Sequence, residues 1–148
     1  MPAARCVLSL PRASLAIMAA AAVLYVKDLA RMSAFYERCF GMSPVESGDG
    51  DFRVLASGDW DLSLVSMPAA IAATVAITDP PGRREDSPVM LAFEVASLEG
   101  LHPVVSETGG QLDPVESAWE FRGRRHLDCL DPEGNIVQLR QRMTPERG

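Results

Sequence analysis

The sequence predicts an α+β fold made from one unit used twice, strand–helix–strand–strand–strand. Three observations predict it. Two short apolar runs, Ala20–Val26 and Val89–Val95, are each followed by a helix-capping residue and by apolar residues at helical spacing. Each helix pattern then meets glycine and gives way to three strand-length segments. A single shift relates the halves: adding 69 carries Val26 to Val95, Asp28 to Ser97, Leu29 to Leu98, Met32 to Leu101, Tyr36 to Val105 and Gly41 to Gly110.

In the first unit, Asp28 is the N-cap, Leu29, Met32, Tyr36 and Phe40 form the stripe, and Gly41 closes the helix. Strands are expected at Ser43–Glu46, Phe52–Ala56 and Asp61–Ser66, punctuated by Gly48, Gly50 and Gly58. In the second, Ser97 caps, Leu98, Leu101 and Val105 form the stripe, and Gly109–Gly110 ends it. Strands are expected at Leu112–Glu116, Arg124–Leu130 and Ile136–Arg140, the last two joined by the turn Asp131-Pro132-Glu133-Gly134-Asn135. This gives one domain over residues 18–141, with modules at 18–67 and 89–141. The Ala-, Pro-, Asp- and Arg-rich segment 68–88 is a linker in which Ala72–Thr78 is ordered, and residues 142–148 form a tail.

Composition bounds the function. The chain has 148 residues, 47% apolar and 23% charged, with a formal charge of −6. That is an ordinary globular balance. The negative charge repels phosphate backbones and argues against nucleic acid. Cys6, Cys39 and Cys129 form no metal-binding or disulfide pattern, so reduced thiols and a cytoplasmic location are expected. Arg5 and Arg12 before the apolar stretch Leu15–Val26 resemble a signal peptide, but cleavage there would remove the first strand. The stretch is also too short to span a bilayer. Residues 1–17 are read as a disordered extension, with Met18 as an alternative start.

Two curled sheets, each backed by a helix, would enclose a cleft. Alternation along the strands assigns faces. Leu24 and Val26, Leu62 and Leu64, Leu91 and Phe93, Leu127 and Cys129, and Val137 and Leu139 pack on the helix side. Ala21, Val23, Tyr25, Asp61, Ser63, Met90, Glu94, His126, Asp128, Ile136, Gln138 and Arg140 face the cleft.

At these residues a resemblance emerges. VLYVKDLARMSAFYERCFGM, MLAFEVASL and LDPEGNIVQL, in this order and spacing, resemble the opening of the first module and the two ends of the second module in the vicinal oxygen chelate superfamily. This is the group of glyoxalases, bleomycin-resistance proteins and extradiol dioxygenases. The resemblance implies paired βαβββ modules cupped around a cleft, and a homodimer. It also implies a divalent metal held from the first, fourth, fifth and last strands of the repeat. Those positions here are Ala21, Ser63, Met90 and Gln138. Alanine has no donor, a thioether suits hard ions poorly, and neutral oxygens are weak without a charged partner. A metal-free member is therefore expected, with no cofactor.

The chemistry-bearing candidates are few. His126 and Asp128 share a strand face and are candidates for an oriented general base. Glu94 is a candidate partner for a ligand cation or for Arg140. Tyr25 and Trp60 offer surfaces for planar ligands, and Trp119 is read as a loop residue touching ligand or partner. Arg122, Arg124 and Arg125 form a local basic patch suited to an anion or to guarding a strand edge. Cys39 and Cys129 are expected to be inert core thiols. No nucleophile elbow, phosphate loop or dinucleotide fingerprint is present.

The ligand-binding set is then Tyr25, Asp61, Ser63, Met90, Glu94, Trp119, His126, Gln138 and Arg140. Its acids, with Asp128, suggest a cationic ligand. The leading expectation is a metal-independent protein that sequesters a small molecule. The alternatives are a metal-dependent lyase, isomerase or dioxygenase with a displaced site at His126, Asp128 and Glu94, and a module whose cleft is vestigial.

Overall fold

A computed structural model describes residues 19–144. The N-terminal extension, Cys6 and most of the C-terminal tail lie outside the described residues. The first module runs β1 (Ala20–Val26), α1 (Leu29–Phe40), β2 (Ser43–Gly48), β3 (Phe52–Ser57) and β4 (Trp60–Ser66). A short helix α2 (Ala69–Ala72) follows. The second module runs β5 (Leu91–Glu94), α3 (Leu98–Glu107), β6 (Gln111–Leu112), β7 (Trp119–Phe121), β8 (Arg124–Leu130) and β9 (Ile136–Arg142).

Local chemistry sets these boundaries. Asp28 Oδ1 accepts from Arg31 N at 3.0 Å, and Ser97 Oγ accepts from Gly100 N at 3.1 Å, so both predicted caps are made. The closing glycines serve two ends, Gly109 at φ 88° sharing that of Gly41. Gly41 sits at φ 63°, in the left-handed region that a side chain resists. Gly110 is needed for space: a Cβ there would lie 2.6 Å from the Leu130 carbonyl oxygen and from the Phe35 ring.

The sheets repeat one topology. The first has strand order β1-β4-β3-β2, with β1 parallel to β4. The second has order β5-β9-β8-β6, with β5 parallel to β9 and β7 also beside β8. Two strands differ from expectation. The expected Val89–Val95 strand shortens to β5, which pairs only from Leu91 opposite Val137. The expected Leu112–Glu116 strand ends after Leu112, because Pro114 lacks a donor and a 3-10 turn follows at Val115–Ser117. Its place beside β8 is taken by β7. Trp119 is therefore a strand residue and not a loop residue. The β7–β8 hairpin turns through Arg122 and Gly123 at φ 49° and 72°.

The faces follow the predicted alternation. Val26, Leu62, Leu64, Leu127, Cys129, Val137 and Leu139 are buried in one core that runs through both modules. The helices lie on this inner side. Phe40 of α1 stacks on Phe93 of β5, with centroids 4.2 Å apart and planes 4° apart. Trp60 meets Phe93 edge-on, so it belongs to the packing between modules, not to a ligand platform. Positions related by the repeat shift touch each other: Arg38 Nη2 donates to Glu107 Oε2 at 2.6 Å, and Cys39 Sγ lies 3.5 Å from Thr108 Oγ1. The ends of α1 and α3 thus meet at an approximate two-fold axis between the modules. Burial raises the pKa of both core thiols, consistent with inert cysteines.

The β8–β9 turn locks the modules together. Glu133, nearly fully buried, accepts from Lys27 N at 2.8 and 3.0 Å and from Asp28 N at 2.9 Å. Asp131 accepts from the buried Tyr36 hydroxyl at 2.8 Å and from Glu133 N, Asn135 N and Asn135 Nδ2. The linker is held as well. Lys27 Nζ donates to the Val75 carbonyl, and Arg84 N donates to that of Gly134.

Candidate functional site

With the core and both long helices packed on one face of each sheet, the sheet's other face is open. The face of the second sheet carries a cavity of about 600 Å³, lined by Ala92, Glu94, Trp119, Phe121, Arg122, Arg124, His126, Gln138 and Arg140. Every lining residue belongs to the second module. Register places them in cross-strand rows. One row runs Trp119, His126, Arg140, Glu94 across β7, β8, β9 and β5; the next runs Phe121, Arg124, Arg142. Five of the expected cleft residues are therefore together: Glu94, Trp119, His126, Gln138 and Arg140.

The charges here are tied by ion pairs. Glu94 accepts from Arg124 Nε at 3.0 Å and from Arg142 Nε, so its expected partner Arg140 is not the one it has. The Arg124 hydrogen bond is the main reason its carboxyl pKa is lowered. Arg140 instead donates Nε to Gln138 Oε1 at 2.9 Å. The acidic cleft expected from the sequence is thus a basic one, with Arg122, Arg124 and Arg140 set against Glu94 alone.

His126 is 4% exposed and lies under Trp119, ring centroids 5.6 Å apart and planes 20° apart. Its Nδ1 lies 3.2 Å from Gln138 Oε1 and its Nε2 lies 3.1 Å from the Phe121 carbonyl. Neither nitrogen is open to a substrate. Asp128 does not orient it: no hydrogen bond joins the two. Asp128 Oδ2 lies 3.7 Å from Arg83 Nη1, a linker residue that also binds Asp113. Desolvation raises the Asp128 pKa against the pull of Arg83, and its Oδ1 is buried without a hydrogen-bond partner. Sequence reasoning missed Arg83, because nothing local ties the linker to β8.

Tyr25 and Met90 lie elsewhere. They line a second, largely apolar cavity of about 610 Å³, where the edge of β1 faces the first residues of β5 and β9, with Arg84 and Asn135 at its polar side. Asp61 and Ser63 line neither cavity. They sit on the outer face of the first sheet, beside Ala21 and Val23 in register. Val23 and Tyr25 are 60% and 58% exposed there.

The donor set does not fit a metal. Ala21 and Ser63 belong to the first sheet, Met90 lines the apolar cavity, and Gln138 lines the basic one. The oxygen a metal would need, Gln138 Oε1, already accepts from the Arg140 cation. Among the described residues, no three His, Cys, Asp or Glu side chains are grouped to hold an ion.

Known proteins agree with this architecture. The chain matches the profile of the Glyoxalase/Bleomycin resistance protein/Dioxygenase superfamily over residues 18–139 and belongs to that superfamily. A glyoxalase/bleomycin resistance protein/dioxygenase family enzyme from Burkholderia phytofirmans PsJN is 25% identical, with a TM-score of 0.61 over 83% of this chain and 97% of that one. Fosfomycin resistance protein FosX from Mesorhizobium loti is 16% identical, with a TM-score of 0.55 over 89% and 96%. FosX from Listeria monocytogenes, in complex with Mn(II) and 1S,2S-dihydroxypropylphosphonic acid, is 15% identical, with a TM-score of 0.59 over 85% and 90%. The two FosX likenesses speak to fold alone. No functionally curated protein matches the chain. Among the described residues, no helix is long and apolar enough to cross a membrane.

Proposed function

We propose that this chain is a metal-independent small-molecule binding protein whose cup is completed by a second copy. The observation that carries the reading is the half-site on the second sheet: a concave face lined by one module only, with its would-be metal oxygen engaged by Arg140. The first sheet offers the matching half. It is an open face with exposed Val23 and Tyr25, which also line the apolar cavity, and with Asp61 on the same surface. An isologous pair would lay the first sheet of each copy against the second sheet of the other, making two equal cups.

Light scattering of the purified protein, with elemental analysis and a thermal titration of Mn(II), Fe(II), Ni(II) and Zn(II), tests both halves of the reading. A dimer mass, no stoichiometric metal and no saturable rise in Tm are expected. Stoichiometric metal with a saturable shift would instead place the chain among the metal-dependent lyases, isomerases or dioxygenases of the superfamily.

A further inference from the structure

Resting on that reading, we infer that the basic half-cup selects a planar aromatic anion, an aryl carboxylate or phosphonate. The register rows put aromatic side chains at one margin and guanidinium groups in the middle. Trp119 and Phe121 on β7 are 42% and 60% exposed. Two strands away, Arg140 on β9 is exposed and forms no ion pair among the described residues. Between them, on β8, lies Arg124.

Each arginine is oriented through its Nε. Gln138 holds Arg140, and Glu94 holds Arg124 and Arg142. This leaves both terminal nitrogens of Arg140 without a hydrogen-bond partner among the described residues, in the paired arrangement that matches a carboxylate or phosphonate. Strands are about 4.8 Å apart, so β7 to β9 spans roughly 10 Å, the reach of a one- or two-ring acid. Arg122 adds a third cation at the mouth, held at positive φ by the hairpin turn. The face is therefore electropositive in a protein of net charge −6, which is the complement of an anion rather than a cation.

Calorimetric titration with three matched probes tests this: 1-naphthoate, 1-naphthalenemethanol and 1-naphthylmethylammonium. We expect saturable binding of the naphthoate that weakens with added salt, and at least about tenfold weaker binding of the other two. Arg140→Gln, with Tm and dimer mass unchanged, should weaken naphthoate at least about tenfold, and Arg140→Lys should restore part of it. Equal or tighter binding of the cation or the alcohol would overturn the anion assignment while leaving the binder reading intact. So would a dimer that takes none of the probes. Dissociation of the dimer by Arg140→Gln would show the arginine facing a carboxylate of the second copy and overturn the proposal. A monomer that binds nothing would sink the reading of the site as well.

Discussion

The two modules share a skeleton and differ in the face that skeleton presents. Both place a parallel edge strand beside the module's last strand, and both bury one leucine-rich alternation beneath a capped helix. Yet the outer face of the first sheet is apolar along its edge strand, with Ala21, Val23 and Tyr25, and carries Asp61 and Ser63 on the neighbouring β4. That of the second is basic and aromatic. The difference lies wholly on the alternate residues that the core does not use. A duplicated unit is constrained on its inner face by packing with its sister, and its outer face is free to specialise.

The comparison breaks most readily at the join, where the halves depend on each other. Tyr36→Ala removes a fully buried ring and leaves the Asp131 carboxylate without its hydroxyl donor. A loss of about 3–5 kcal/mol in chemical denaturation is expected, in a single transition because both modules share the core. Glu133→Ala orphans the Lys27 and Asp28 amides. It should cost about 2–3 kcal/mol by the same measurement; a loss below about 0.5 kcal/mol would mean that solvent replaces the carboxylate.

Alkaline pH probes the same join more gently. Tyr36, Cys39 and Cys129 all have their pKa raised, chiefly by burial. The unfolded chain therefore releases these protons first, and stability falls as pH rises past about 8.5 for the thiols and about 10 for the phenol. The slope should approach on the order of 1 kcal/mol per pH unit per group. Tyr36→Phe should lessen the fall above about pH 10 in a Tm profile by one group's share, the buried Cys129 thiol keeping its own. The smallest effect is expected on the open face: Tyr25→Ser should change monomer stability by less than about 0.5 kcal/mol. The same change should weaken the dimer in sedimentation, which separates a face built for a partner from one that is merely exposed.

Much of the fold was legible because periodicity is local. The bounds of β1 and α1, both caps and the sidedness of β4, β8 and β9 follow from alternation and helical spacing. The β6–β7 region was not. Pro114 interrupts one strand, and the alternation Trp119-Glu120-Phe121 before Arg122-Gly123 is a hairpin signal that lies outside the expected strands. The candidate site was legible only in part: Tyr25, Asp61, Ser63 and Met90 lie outside the basic cavity. Glu94, His126, Gln138 and Arg140 fall on one face by counting, whereas Trp119, expected in a loop, reaches that face on β7. Their charge was misjudged, because long-range pairing decides it. Arg83 from the linker takes Asp128, and Arg142, read as tail, takes Glu94.

The Glu133 clamp has a consequence for how the chain is made. The amides it holds precede it by more than a hundred residues, so during synthesis the first helix emerges long before its anchor exists. Until the last turn is extruded, Lys27 and Asp28 can bond only to water, and Tyr36 has no Asp131. The nascent first half is thereby kept provisional, and the final hairpin acts as the latch that commits both halves together. A ribosome stalled before residue 131 would carry a chain with most of its strands and helices but without the closure that makes them one body.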